Sequence, residues 1–129
     1  MKTEFPWGSR YNEVVAEPTS GTMMKMVDLL VRKDGTTHEE FEEYWLEEHS
    51  ELAKELPGLR KYVTSVSKDP EKAGYDGVLE LYFDSTADMK AAFDSEKGTE
   101  VMADAAEFID TEQGPTLILD ETVQLDDLD

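Results

Sequence analysis

The sequence predicts an α+β domain with elements in the order β-α-β-β-α-β, forming one four-stranded antiparallel sheet with helices on a single face. Three observations carry this reading. Residues 23–32 (MMKMVDLLVR) alternate along a β-strand, with Lys25, Val27, Leu29 and Val31 on one side and Met24, Met26, Asp28 and Leu30 on the other. Phe41, Trp45, His49, Leu52 and Leu56 recur at spacings of three and four, which stacks them as one stripe on a helix. Residues 59–68 and 77–84 are two more β-rich runs, and the loop between them holds Pro70 and Gly74, as in a hairpin.

The remaining elements follow from punctuation. Asp34-Gly35 turns the chain out of the first strand, and Thr37 precedes Glu40 at capping-box spacing, so a helix runs to about Leu56. Pro57-Gly58 ends it. Ser85 caps a shorter helix to about Phe93, Gly98 interrupts, and a second piece (99–109) puts Val101, Ala105, Phe108 and Ile109 on one face. Pro115 opens the last strand, 116–123, where a proline is tolerated. This is the ferredoxin-like split β-α-β arrangement. Residues 1–22, with Pro6, Gly8, Pro18 and Gly21, read as an N-terminal arm whose Phe5, Trp7 and Tyr11 pack on the body or a partner. The domain proper covers 23–125, and 126–129 form an acidic tail.

Charge excludes several functions. The 129 residues carry 31 acidic against 12 basic side chains, a net charge of −19, which repels nucleic acid and anionic membrane surfaces alike. Such a surface also repels itself in dilute buffer, whereas near 1 M salt the screening length is only about 3 Å. The composition therefore points to a protein adapted to a very salty cytoplasm. No apolar run approaches the roughly 18 residues of a membrane span, and no export signal opens the chain. Cysteine is absent, which removes disulfides and thiolate chemistry. There is no GxSxG elbow, P-loop, GxGxxG or Cys-His pair, and no cofactor is expected.

His49 is the leading candidate for chemistry. Its place on the apolar stripe allows two readings: a core histidine with one satisfied hydrogen bond, or an acid/base group lining a cavity. A metal site is not expected, because His38 lies roughly 16 Å away along the helix and the neighbours of His49 at i−4 and i+3, Trp45 and Leu52, are not ligands. Glu80, a carboxylate between apolar strand residues, and Tyr62 are weaker catalytic candidates. Trp45, Tyr62, Tyr82, Phe93 and Asp28 are candidate ligand-binding residues, with core packing as the alternative for the aromatics. A sheet covered by helices on one face only needs a second cover, which predicts a homodimer.

The run Phe41-Glu42-Glu43-Tyr44-Trp45-Leu46-Glu47-Glu48-His49, followed by residues 56–62 (LPGLRKY), residues 75–85 (YDGVLELYFDS) and the later Asp104 and Phe108, resembles the EthD family. The likeness covers roughly residues 24–123. It implies a dimeric α+β barrel. Relatives in that superfamily include cofactor-free monooxygenases, polyketide cyclases, lactone isomerases and haem enzymes, with ligands commonly between sheet and helices, where His49 points. EthD itself is associated with bacterial degradation of ethyl tert-butyl ether alongside a cytochrome P450 system. The resemblance thus implies a protein that binds a small apolar or aromatic metabolite, as a cofactor-free lyase, cyclase or monooxygenase. The alternative is a non-catalytic binding or accessory protein of a degradation system. The arm at 1–22 departs from the family pattern.

Overall fold

The computed structural model describes residues 23–128, so the expected arm at 1–22 and the terminal Asp129 lie outside the described residues. Strand β1 (Met23–Leu30) buries Met24, Met26, Asp28 and Leu30 and turns its alternate residues to the other face, as its period dictates. It pairs antiparallel with β3 (Gly77–Phe83) on one side and β4 (Thr116–Glu121) on the other, and β3 pairs antiparallel with β2 (Lys61–Val66). The sheet order is β2-β3-β1-β4. The helices lie on one face, over Met24, Met26, Leu79, Leu81 and Phe83.

The barrel implied by the family resemblance is not formed. The sheet is open: β2 and β4 are its two edges, separated by β3 and β1, and they do not pair with each other. Four strands, each about 4.8 Å from the next, are too few to curl into a closed ring around a side-chain-filled interior. The α+β ferredoxin-like order stands; the closure does not.

The long helix departs from a simple period. Helix α1 (His38–Tyr44) starts with the expected capping box, Thr37 accepting from the Glu40 N–H and Glu40 accepting from the Thr37 N–H. Trp45–His49 then forms a π turn, and α2 (Ser50–Ala53) completes the segment. The Ser50 N–H donates to the Trp45 carbonyl, and the Ser50 hydroxyl donates to the same oxygen at 2.7 Å. A π turn holds one residue more than an α turn, so it advances every later position around the axis. Phe41, Trp45 and His49 keep their inward direction, but Ser50 and Ala53 are buried behind them and Leu52 is only half-buried.

A short turn, α3 (Pro70–Ala73), occupies the β2–β3 connection. Past β3, α4 (Thr86–Asp94) and α5 (Glu96–Ala105) are separated by Ser95, not by Gly98. Ser95 is extended, which stops α4, and its hydroxyl accepts from the Gly98 N–H, which starts α5. Gly98 serves a packing need instead: a Cβ there would lie 2.4 Å from the Ala92 carbonyl oxygen. The segment after α5 is tied to the segment after β1 by Lys33 N–H to the Phe108 carbonyl (2.9 Å) and Asp110 N–H to the Val31 carbonyl (2.8 Å). No helix among the described residues is long and apolar enough to cross a membrane.

Gly77 sets the distance between layers. A Cβ on it would meet the Trp45 ring at 2.5 Å and the Ser65 carbonyl oxygen at 3.0 Å, and the fully buried indole has nowhere to retreat. Gly77→Ala should therefore destabilise the protein by about 1–3 kcal/mol. Chemical denaturation checks this, with a change in indole emission reporting the displaced Trp45.

Candidate functional site

The π turn delivers His49 into the layer between helices and sheet. Its side chain is 4% exposed, and Nδ1 lies 2.8 Å from the Asp104 Oδ2 on α5. A carboxylate only accepts, so the neutral imidazole carries its proton on Nδ1 and keeps Nε2 as an acceptor. The Phe108 ring packs against the imidazole with centroids 5.0 Å apart. Burial pulls the His49 pKa below its usual 6.5, and the Asp104 carboxylate offsets only part of that. The other Asp104 oxygen accepts a 2.6 Å hydrogen bond from the Tyr44 hydroxyl. That bond, with burial adding to it, pushes the Tyr44 pKa up to about 12.

His49 forms one wall of an apolar pocket under the helices. Trp45, Tyr62, Leu79, Leu81, Phe93 and Met102 are among the other walls. The free space is about 20 Å³, enough for one water molecule by the usual measure of roughly 10–15 Å³. Burial raises the Tyr62 pKa, opposed by the Ser50 hydroxyl at 3.1 Å and by the Trp45 N–H. The Trp45 N–H lies near enough to favour a charged Tyr62 oxygen, yet it makes no hydrogen bond of good geometry. A buried donor left in that state costs about 1–3 kcal/mol.

The structure brings together His49, Trp45, Tyr62 and Phe93 of the expected residues. It does not bring Glu80 or Tyr82 to them. Both lie on the sheet face away from the helices, where Lys25 donates to Glu80 at 2.9 Å and Tyr82 donates to Glu121 at 2.8 Å. The mid-strand carboxylate is explained by that ion pair. Asp28 is fully buried on the helix side, accepts from the Thr116 hydroxyl at 2.9 Å, and is not a pocket wall. His38 belongs to a separate clasp, in which Asp76 accepts from Arg32 and meets the His38 Nδ1 at 2.7 Å. Burial alone would raise the Asp76 pKa, but the Arg32 N–H, His38 and the Arg32 guanidinium together bring it below its usual value.

Asp104 and Tyr44 are the site residues not singled out from the sequence by pattern. Each looks like an ordinary solvated position on its own helix. Only the packing of α5 against the π turn joins them across 60 residues. Among the described residues no group of three or more His, Asp or Glu side chains is placed to hold a metal ion.

The sequence profile of the EthD domain matches residues 33–112, which is more than half of the chain and includes Tyr44, Trp45, His49, Asp104 and Phe108. The chain belongs to the EthD family. Solved structures carry the same fold. An EthD family protein from Bacillus halodurans superposes with a TM-score of 0.66 at 20% identity, over 78% of this chain and 99% of that one. HapK from Hahella chejuensis gives 0.63 at 12% identity, over 81% and 96%. A dimeric ferredoxin-like protein of Thermobifida fusca gives 0.59 at 16%, over 84% and 100%. A comparison with curated proteins finds no match.

The depressed pKa of His49 in this EthD domain links stability to pH. The unfolded chain takes up a proton near pH 6.5, where the folded protein does not, so burial of a neutral His49 favours folding fully above pH 6.5. That contribution should decline as pH falls from 6.5 toward the folded value, and level off below it. Urea titrations of wild type and His49→Gln at several pH values check the sign: the difference between the two should shrink on acidification.

Proposed function

We propose that this EthD protein binds a small apolar or aromatic molecule between sheet and helices, with His49 as a general base or acid and no cofactor. The observation that carries the reading is an imidazole fixed by a carboxylate at Nδ1, with its other nitrogen available at an apolar pocket. Trp45, Phe93 and Met102 would form walls, and Tyr62 would orient a polar group of the guest. Because the resting space is about 20 Å³, entry requires side chains to give way. The unbranched, half-buried Met102 is the adaptable one. Proton abstraction, cyclisation or oxygenation of an acidic carbon compound are the reactions such a base serves.

A non-catalytic binding or accessory role is the second reading, and the small cavity favours its accessory form. The ring-opening of 5-nitrobenzisoxazole, which needs only removal of one carbon-bound proton in an apolar site, separates the two. Wild type should accelerate it and His49→Ala should return the rate to that of buffer. No acceleration by wild type would favour the accessory reading.

The same proposal includes a homodimer through the sheet face away from the helices. Leu117 and Leu119 are 45% and 38% exposed there, opposite Val27 and Lys25 in the strand register. Sedimentation should show two copies for wild type and one for the variant carrying Leu117→Glu with Leu119→Glu. A net charge of −19 supports a salty cytoplasm as the setting. Thermal melts should rise from dilute buffer to several molar potassium chloride, and the opposite order would remove the salt adaptation.

A further inference from the structure

Two groups grip Asp104 from different elements, and only one of them is His49. The Tyr44 hydroxyl, at the end of α1, donates to Oδ1 at 2.6 Å, while His49 Nδ1 takes Oδ2 at 2.8 Å. Phe108 packs on both partners, edge-on to the Tyr44 ring at 5.0 Å and tilted on the imidazole at 5.0 Å. A single phenyl ring thus packs against both side chains that hold the carboxylate. A carboxylate that holds a short hydrogen bond on one oxygen has less negative charge to offer on the other.

We propose that Tyr44 is a positioning residue of this site: by occupying one Asp104 oxygen it limits how strongly the other draws on His49 Nδ1, and so leaves Nε2 ready to take a proton. This rests on the reading of His49 as the working acid/base. Without the Tyr44 hydroxyl, Asp104 would stabilise the imidazolium more strongly, and part of the lowering of the His49 pKa by burial would be undone. The other groups around the imidazole do not do this. Tyr62 approaches from β2 as a neutral phenol, and α2, β3 and α4 present only Ala53, Leu79, Leu81 and Phe93. Glu48 and Glu107 bear on Tyr44 from outside, and both favour its neutral, donating form.

The test is a nitrogen-15 NMR titration of His49 in the full chain. In Tyr44→Phe the His49 pKa should rise by roughly one pH unit, with the Nδ1–H form still dominant when neutral. Replacing Tyr44 alone with 2,3-difluorotyrosine, which keeps the shape and donates more strongly, should move it the opposite way. This second variant keeps the packing even where phenylalanine loosens it. A His49 titration that is the same in all three proteins overturns the proposal, as does a shift of the same sign in both variants. The 5-nitrobenzisoxazole rate distinguishes the two readings. A His49 that responds to position 44 but accelerates nothing removes the acid/base function alone. A His49 that is required for the rate but indifferent to position 44 removes the role of Tyr44 alone.

Discussion

The contact between the Trp45 indole and the bare backbone of Gly77 fixes how near the helical layer comes to the sheet. Everything at the candidate site is measured from that height. With the indole seated on β3, the π turn that begins at Trp45 has one orientation left to it. It ends with His49 facing α5 and with Ser50 close to the Tyr62 hydroxyl. The segment after α5 is in turn bound to the segment after β1, so Asp104 meets the imidazole from a helix that the sheet itself anchors. The polar pair is thus held by elements, not by a loop, which is the condition for a precise site.

Much of this was legible in the sequence because it is local. The alternation in β1, the Thr37–Glu40 capping box and the Ser85 cap each depend on residues a few positions apart, and each formed where the spacing placed it. The inward direction of Trp45 and His49 followed from the helical period, and the structure adds Tyr62 and Phe93 beside them. What was not legible needed either an irregular backbone or a distant partner. No residue pattern announces the π turn, so Leu52 was expected inside where Ala53 lies. Gly98 looked like a break because glycine weakens helices, yet Ser95, three residues earlier, both stops α4 and starts α5. Glu80 looked like an orphan carboxylate until Lys25, 55 residues away, supplied its ion pair. In a chain this acidic, spacing alone does not separate Asp104 from the other carboxylates; only the family resemblance and its place in the fold do.

The family assignment and the geometry bear on different questions. The EthD profile covers the residues that build the site, and the solved relatives establish the fold. Neither specifies a reaction. The chemistry argued for here rests instead on which imidazole nitrogen is engaged, how little room lies beside it, and which side chains would have to move.

The open sheet also has a consequence for self-association. Its two rims, β2 and β4, leave main-chain N–H and C=O groups that no neighbouring strand among the described residues satisfies. Such rims are templates for uncontrolled strand-to-strand stacking into fibrils. On β4 the last residues are Asp120 and Glu121, followed by Asp126 and Asp127 in the exposed tail, so an identical rim approaching edge to edge would bring like charges together. Concentrated salt weakens that repulsion. Added salt would therefore lower the barrier to ribbon growth along this margin.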